Sequence, residues 1–361
     1  MLVRGGFQEY GDVVMKTRYA EAQYGKVVIK TKDLPKPGPG QLLLEAEYSS
    51  MSPGTEYSLM DNKIVPLPQS IGYSMVASVI EVGPDVTDFK VGDLVVTTGE
   101  HAQYLLMDMK NVTPAPHDVD KEQAAFFVLI HTALYALRRS QLQFGEPAVV
   151  LGQGFVGAIT AQIARLAGAM PVIVTDLDDG RLEIARKMGV HYAINPKKEP
   201  NRLVEVVNSL KRGGVPVVFE ATGARQPLAQ AFEIVSERGR VVMISQVHGE
   251  SMPEIDEPLM MKGASLIGTY VNSKPFSLRR TDLGINGAWP PTISNRLERY
   301  VNSDIWTSDD DFRVALDFIK YGSLDIRPLI SHRFTYEEIP KAYDLVWNKD
   351  ASLLGGVIKW K

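Results

Sequence analysis

The residues most suited to chemistry begin at Gly152-Gln153-Gly154-Phe155-Val156-Gly157, which follows the apolar Val149-Val150-Leu151 directly and opens a run of helical period. Between a strand and a helix, such a pattern has a mechanism. Gly152 permits a tight turn, Gly154 lets backbone approach a pyrophosphate, and Gly157 allows helix and strand to pack closely. Helix-start amides, including those of Phe155 and Val156, then face phosphate oxygens. Asp176 ends the next apolar segment, 24 residues after Gly152. A carboxylate there accepts from both ribose hydroxyls and repels a 2′-phosphate, which favours NAD(H) over NADP(H). Arg181 could touch the same ribose, or instead hold a 2′-phosphate. The structural alternatives are a plain tight turn for the glycines and a helix cap for Asp176. Asp178 or Asp179 would cap equally well, which leaves Asp176 for the ribose.

The elements that must position these residues change in texture along the 361 residues. Residues 25–110 carry β-branched and aromatic segments between Gly and Pro breakers, as in Gln41–Tyr48 and Tyr73–Val82. From residue 118 a helix capped by Asp118 or Asp120 is expected to run through Ala124–Arg139. Strands are then expected at Ala148–Leu151, Val172–Thr175, Tyr192–Ile194, Val215–Phe219, Arg240–Ile244 and Ser265–Gly268. The helices between them are Ile159–Ala167, Arg181–Lys187, Arg202–Leu210 and Pro227–Ser236. Near-continuous apolar strands alternating with amphipathic helices imply a parallel sheet covered on both faces, and six strands complete a dinucleotide-binding sheet. Helices are expected at Asp309–Tyr321 and Tyr336–Trp347, and strands at Arg327–Phe334 and Gly356–Trp360.

Composition excludes several classes. The chain has no cysteine, so disulfides, thiolate catalysis and cysteine-ligated zinc are ruled out. Net charge is −4 with no long basic run, which argues against nucleic acid. The longest apolar runs fall far short of a membrane span, and the Met1-Leu2-Val3-Arg4-Gly5 start lacks a secretory apolar stretch, so a cytoplasmic protein is expected.

Motifs in order across nearly the whole length resemble the medium-chain dehydrogenase/reductase superfamily. Val79-Ile80-Glu81-Val82-Gly83 and Lys90-Val91-Gly92-Asp93-Leu94-Val95-Val96 match its catalytic-domain signature. His101-Ala102-Gln103-Tyr104, Thr132-Ala133-Leu134-Tyr135-Ala136-Leu137, the glycine turn, Glu220-Ala221-Thr222-Gly223 and Gly239-Arg240-Val241-Val242 follow in register. The resemblance implies an α/β protein. A GroES-like, β-rich catalytic domain (residues 1–129 and 271–361) would be interrupted by a Rossmann NAD-binding domain with a doubly wound six-stranded parallel sheet (130–270). It further implies that Thr222 and Gly223 lie under the adenosine half, that Ile244, Ser245, Gln246 and Thr269 lie near the nicotinamide, and that Thr132 contacts the cofactor. The arginine that often clamps the pyrophosphate is replaced by Gly54.

The zinc enzymes of that superfamily hold their metal with Cys, His and Cys. Here those positions match Pro53, Tyr73 and Val128, and the four-cysteine structural loop is missing. Pro and Val cannot ligate zinc and a neutral Tyr does so poorly, so no metal is expected. Ser52-Pro53-Gly54-Thr55-Glu56 resembles a narrower zinc-lacking branch that includes bacteriochlorophyllide hydroxyethyl dehydrogenases and sugar- or polyol-linked dehydrogenases. Without a Lewis acid, a side chain must move the hydroxyl proton. The candidates are Tyr73, Thr55 (matching the relay hydroxyl of the zinc enzymes) and Glu56, with Ser52 and Ser74 completing a hydrogen-bond set. Tyr73 may equally be filler for the metal's space, and Glu56 half of a buried ion pair. His131 and His101 read as structural.

The expected function is zinc-independent, NAD(H)-dependent hydride transfer between nicotinamide and a secondary alcohol or ketone of a polyol, sugar or related small molecule. The alternatives are an alkene or quinone reductase of the same superfamily and a non-catalytic dinucleotide-binding protein. A homodimer or homotetramer is expected, with a small-molecule substrate and neither nucleic acid nor membrane as partner. Residues 271–311, rich in aromatic anchors, are expected to pack over an interdomain cleft and to lend Lys274, Arg279, Arg280 or Asn286 to the substrate or a neighbouring subunit.

Overall fold

The computed structural model describes residues 13–63, 65–245, 252–271 and 306–361. They divide between two compact units, one holding residues 13–126 and 332–361, the other residues 127–271 and 306–331.

The first unit is mostly β. Its strands are β1 (Val13–Gln23), β2 (Lys26–Pro35), β3 (Gln41–Ser50), β4 (Gln69–Ser70), β5 (Met75–Val82), β6 (Leu94–Thr97), β7 (Tyr104–Asp108) and β8 (Val112–Pro114). Helix α1 (Pro53–Met60) lies between β3 and β4, and a single turn, α2 (Lys121–Ala124), follows β8. The C-terminal segment adds β15 (His332–Thr335), α10 (Ile339–Trp347) and β16 (Gly356–Lys359). β16 pairs antiparallel with β3, so the last residues of the chain build the same sheet as residues 41–114. The sheet is mixed, in the order β15-β16-β3-β5-β6-β8, with β7 also on β3. Its core gathers Leu42, Leu44, Met75 and Ile358 against Ile339 and Tyr343 of α10.

The second unit opens with α3 (Phe127–Ser140), and the expected continuous helix from residue 121 is broken at Ala125–Phe126. Asp120 does cap α2, accepting from the amides of Glu122 and Gln123. The alternation then follows: β9 (Ala148–Leu151), α4 (Phe155–Leu166), β10 (Val172–Thr175), α5 (Asp179–Lys187), β11 (Tyr192–Ile194), α6 (Arg202–Ser209), β12 (Val215–Glu220), α7 (Arg225–Ile234), β13 (Val235–Met243), α8 (Asp256–Lys262), β14 (Ser265–Gly268) and α9 (Ser308–Lys320). The six strands form a parallel sheet in the order β11-β10-β9-β12-β13-β14. Period-two alternation buries both faces. Val149, Leu151 and Ile173 pack with Val206 and Phe232, while Ala148, Val150 and Val174 pack with Ala161, Ala164 and Leu182.

Several boundaries differ from the sequence reading: α4 starts at Phe155, four residues before the expected Ile159, of the expected strand Arg327–Phe334 only the part from His332 is strand, and α10 starts at Ile339 and not at Tyr336. β13 starts five residues earlier than Arg240, since Val235, expected at the end of a helix, pairs with Val215 ahead of an irregularity in the register. Helix α9, placed by sequence with the catalytic domain, groups with residues 127–271. Its capping box at Thr307 and Asp310 and the edge-on contact of Phe312 with Phe127, at 4.6 Å between ring centres, account for that position.

Candidate active site

Strand order reverses between β9 and β12, and in such sheets ligands bind outside the carboxyl ends of the strands at that point. The glycine turn leaves β9 there. Gly152 has φ +91, and a Cβ on it would lie 2.8 Å from Cγ2 of Thr222. A Cβ on Gly157 would lie 2.1 Å from the Gly152 carbonyl oxygen, so only glycine lets α4 start this close to the strand. Gly154, at the N-cap of α4, faces open space. Phe155 and Val156 supply the first turn of that helix.

Asp176, expected from sequence to serve the ribose, stands just beyond β10, and its carboxylate already accepts two backbone amides. Oδ2 accepts from the Gln153 amide at 2.7 Å and Oδ1 from the Asp178 amide at 2.9 Å. Asp178 is the cap of α5, accepting from the Arg181 amide. Arg181 Nη1 lies 4.0 Å from Asp176 Oδ2. The carboxylate thus ties the end of β10 to the glycine turn, and each oxygen keeps lone pairs for a further donor.

Glu220, quoted in the sequence only as part of a motif, organises the neighbouring turn. It is fully buried. Oε1 accepts from the Thr222 amide at 2.7 Å and from the Thr222 hydroxyl, and Oε2 from the Gly223 amide at 3.2 Å. Burial pushes its carboxyl above the ordinary carboxylate range, opposed in part by those donors. A glutamate closing a strand before Thr-Gly was the available signal. Thr269 donates to the Met243 carbonyl at 2.6 Å and Thr132 to Val128 at 3.0 Å, so both hydroxyls serve the backbone. Ile244 continues the end of β13 through its amide to Glu220. Gln246, Lys274, Arg279, Arg280 and Asn286 lie outside the described residues.

The proposed acid–base residues all belong to the first unit. Pro53 starts α1, where its missing N–H costs nothing. Glu56, one turn in, is 1% exposed, and its Oε2 accepts the Ser52 amide at 2.9 Å. The Ser52 and Thr55 side chains lie beside the Tyr73 phenol and partly stabilise its ionised form. Burial first, and then the Glu56 charge, push that phenol well above its ordinary value. Tyr73 is therefore a neutral hydroxyl, suited to donating to a substrate oxygen and poorly suited to acting as a resting base. Ser74 turns away and donates to the Ala125 carbonyl at 2.5 Å. His101, read from sequence as heading a strand, precedes β7 and has its Nε2 3.5 Å from Glu56 Oε1. His131 is buried in the second unit beside Asp311, 3.4 Å away, which Arg138 also holds at 2.8 Å.

Comparison with known proteins places this arrangement. A family model described as "N-terminal domain of oxidoreductase" matches residues 14–115, and one described as "Zinc-binding dehydrogenase" matches residues 156–282. An L-threonine 3-dehydrogenase of Pyrococcus abyssi is 28% identical over 291 residues, covering 71% of this chain and 81% of the relative. A sorbitol dehydrogenase of Halalkalibacterium halodurans is 24% identical over 364 residues, covering 91% and 94%. The fold is shared with galactitol-1-phosphate dehydrogenase from Escherichia coli, at a TM-score of 0.79 and 18% identity over 95% of this chain and 99% of that one. The chain belongs to the medium-chain dehydrogenase/reductase superfamily and is an oxidoreductase of the alcohol dehydrogenase type.

Proposed function

We propose that the protein is a zinc-independent, NAD(H)-dependent dehydrogenase that interconverts a secondary alcohol and a ketone on a polyol, sugar or related small molecule. The observation that carries the cofactor reading is the cradle at the strand-order reversal, with its two obligatory glycines and a carboxylate at the end of β10. A nicotinamide dinucleotide fits it: Gly154 faces open space, α4 presents helix-start amides, and Asp176 repels a 2′-phosphate. When bound, the dinucleotide supplies the hydride acceptor. In this reading the second unit is the cofactor domain, and Thr222, Gly223, Ile244, Gln246, Thr269 and Thr132 border the cofactor.

Zinc of the family type does not fit the residues present. Pro53 has no donor, Val128 is an apolar residue buried in α3, and Tyr73 is held as a neutral phenol. Proton handling falls instead to the chain's own groups. Tyr73 donates to the developing oxygen during reduction, with Ser52 and Thr55 fixing its hydroxyl and Glu56 governing its charge. Relatives named for threonine and sorbitol support a hydroxylated small substrate. We also propose a homodimer or homotetramer in which the open edge at β14 pairs across a two-fold axis. Among the described residues, no helix is long and apolar enough to cross a membrane.

Reduction of NAD⁺ and NADP⁺ against a panel of polyols, sugars and amino-alcohols tests the reading. Turnover with at least one secondary alcohol, faster with NAD⁺, is expected. Turnover only with activated alkenes or quinones, or none despite tight NADH binding, would replace it with one of the two alternatives.

A further inference from the structure

Among the described residues, three polar atoms of the first unit are buried together without a close hydrogen-bond partner, Glu56 Oε1, His101 Nε2 and the Tyr343 hydroxyl, the Tyr343 phenol being turned toward the Glu56 carboxylate. Their side chains are 1%, 0% and 0% exposed. Orphaned buried polar atoms are rare because each forfeits its solvation, and a carboxylate forfeits most. Glu56 can be tolerated there only if a neighbour balances it, and His101 Nε2 at 3.5 Å is the basic group facing it. The other titratable groups turned toward the carboxylate are the phenols of Tyr343 and Tyr73.

The far side of the imidazole is built to accept either charge state. Nδ1 lies 2.7 Å from Ser49 Oγ, and the Trp360 indole N–H donates to the same oxygen at 2.8 Å. Indole only donates, so Trp360 occupies one lone pair and leaves the hydroxyl both a proton and a second lone pair. Ser49 can donate to Nδ1 of a neutral ring or accept from Nδ1–H of a charged one, by rotating one hydrogen. In both states Nε2 carries a proton toward Glu56. The ring is also locked to the Tyr73 loop. Its backbone amide donates to Ile71 at 2.8 Å, and a Cβ on Gly72 would lie 2.5 Å from Cγ of the imidazole.

We propose that His101 is a positioning residue of the candidate active site: paired with Glu56 in the interior of the first unit, it sets the charge beside the Tyr73 hydroxyl. The role rests on the dehydrogenase reading above. With His101 charged, the pair is neutral as seen from Tyr73. With His101 neutral, the Glu56 charge acts on the phenol uncompensated and holds its proton more firmly.

Nitrogen NMR of histidine-labelled protein tests the pairing without turnover. At neutral pH the wild type should show His101 protonated at Nε2 and protected from exchange; a bare Nε2 overturns the proposal. Glu56→Gln should move the resonances of the His101 Nε2–H group. Unchanged resonances overturn it equally. In the assay at neutral pH, His101→Gln should lower kcat for ketone reduction, because the uncompensated Glu56 charge makes Tyr73 a poorer proton donor, with KM and NADH affinity by fluorescence unchanged. A variant that loses only thermal stability and keeps the wild-type kcat would make His101 structural and refute the role. Failure of the wild type to bind NADH would instead overturn the dehydrogenase reading, and the NMR measurements would still judge the pair.

Discussion

The carboxylate of Asp176 accepts the backbone amide of Gln153 at 2.7 Å, so the residue proposed to select the cofactor also braces the glycine turn. The proposed specificity and the loop geometry meet in one side chain, from two strands that are neighbours only in the folded sheet.

Asp176→Ala is expected to weaken NADH binding roughly tenfold or more, since a charge-assisted hydrogen bond is worth about 1.5–3 kcal/mol. NADPH binding should fall less, because a repulsion is removed at the same time. Fluorescence titration with both cofactors measures the gap, and a gap that stays as wide as in the wild type would show that Asp176 does not face the ribose.

Protein purified without chelator is expected to carry no stoichiometric zinc, because Pro53, Tyr73 and Val128 stand at the ligand positions. Elemental analysis is the check. One tightly held zinc per chain would contradict the proposed mechanism.

Glu220 links stability to pH. Its folded carboxyl lies above the unfolded value, so its contribution is fully present below the unfolded carboxylate range and is lost as pH rises through the folded value. Glu220→Gln mimics the protonated acid, so wild type and variant should have similar Tm in acid. From pH 4 toward pH 7 the wild type should lose stability relative to the variant. A wild type that gains on the variant as pH rises would mean the carboxyl is not raised.

Among the described residues, β14 (Ser265–Gly268) is the last strand of the parallel sheet. Sedimentation is expected to give a dimer or tetramer at micromolar protein. Ile267→Pro should shift it toward monomer, since proline cannot donate to a strand pair. A wild-type monomer would remove the edge-pairing proposal.

Much of this protein is written locally. The glycine turn, the caps at Asp120 and Asp178, and five of the six strands of the parallel sheet, within a residue or two, follow from short-range patterns. A turn, a cap and a buried strand each depend on residues close in sequence. The missing signals are of the opposite kind. Nothing near residue 101 indicates that its imidazole faces Glu56, 45 positions earlier, or that Ser49 and Trp360, 311 apart, share a hydrogen bond on its far side. Ser49 meets Trp360 because β16 closes onto β3, and His101 comes near Glu56 in a unit where β7, just after it, also pairs with β3. Sequence also could not show that Asp176 is occupied by amides or that Tyr73 is held neutral, since both depend on donors and charges brought in by folding. Residue types thus determined which chemistry was available, while long-range packing decided which partners each group meets.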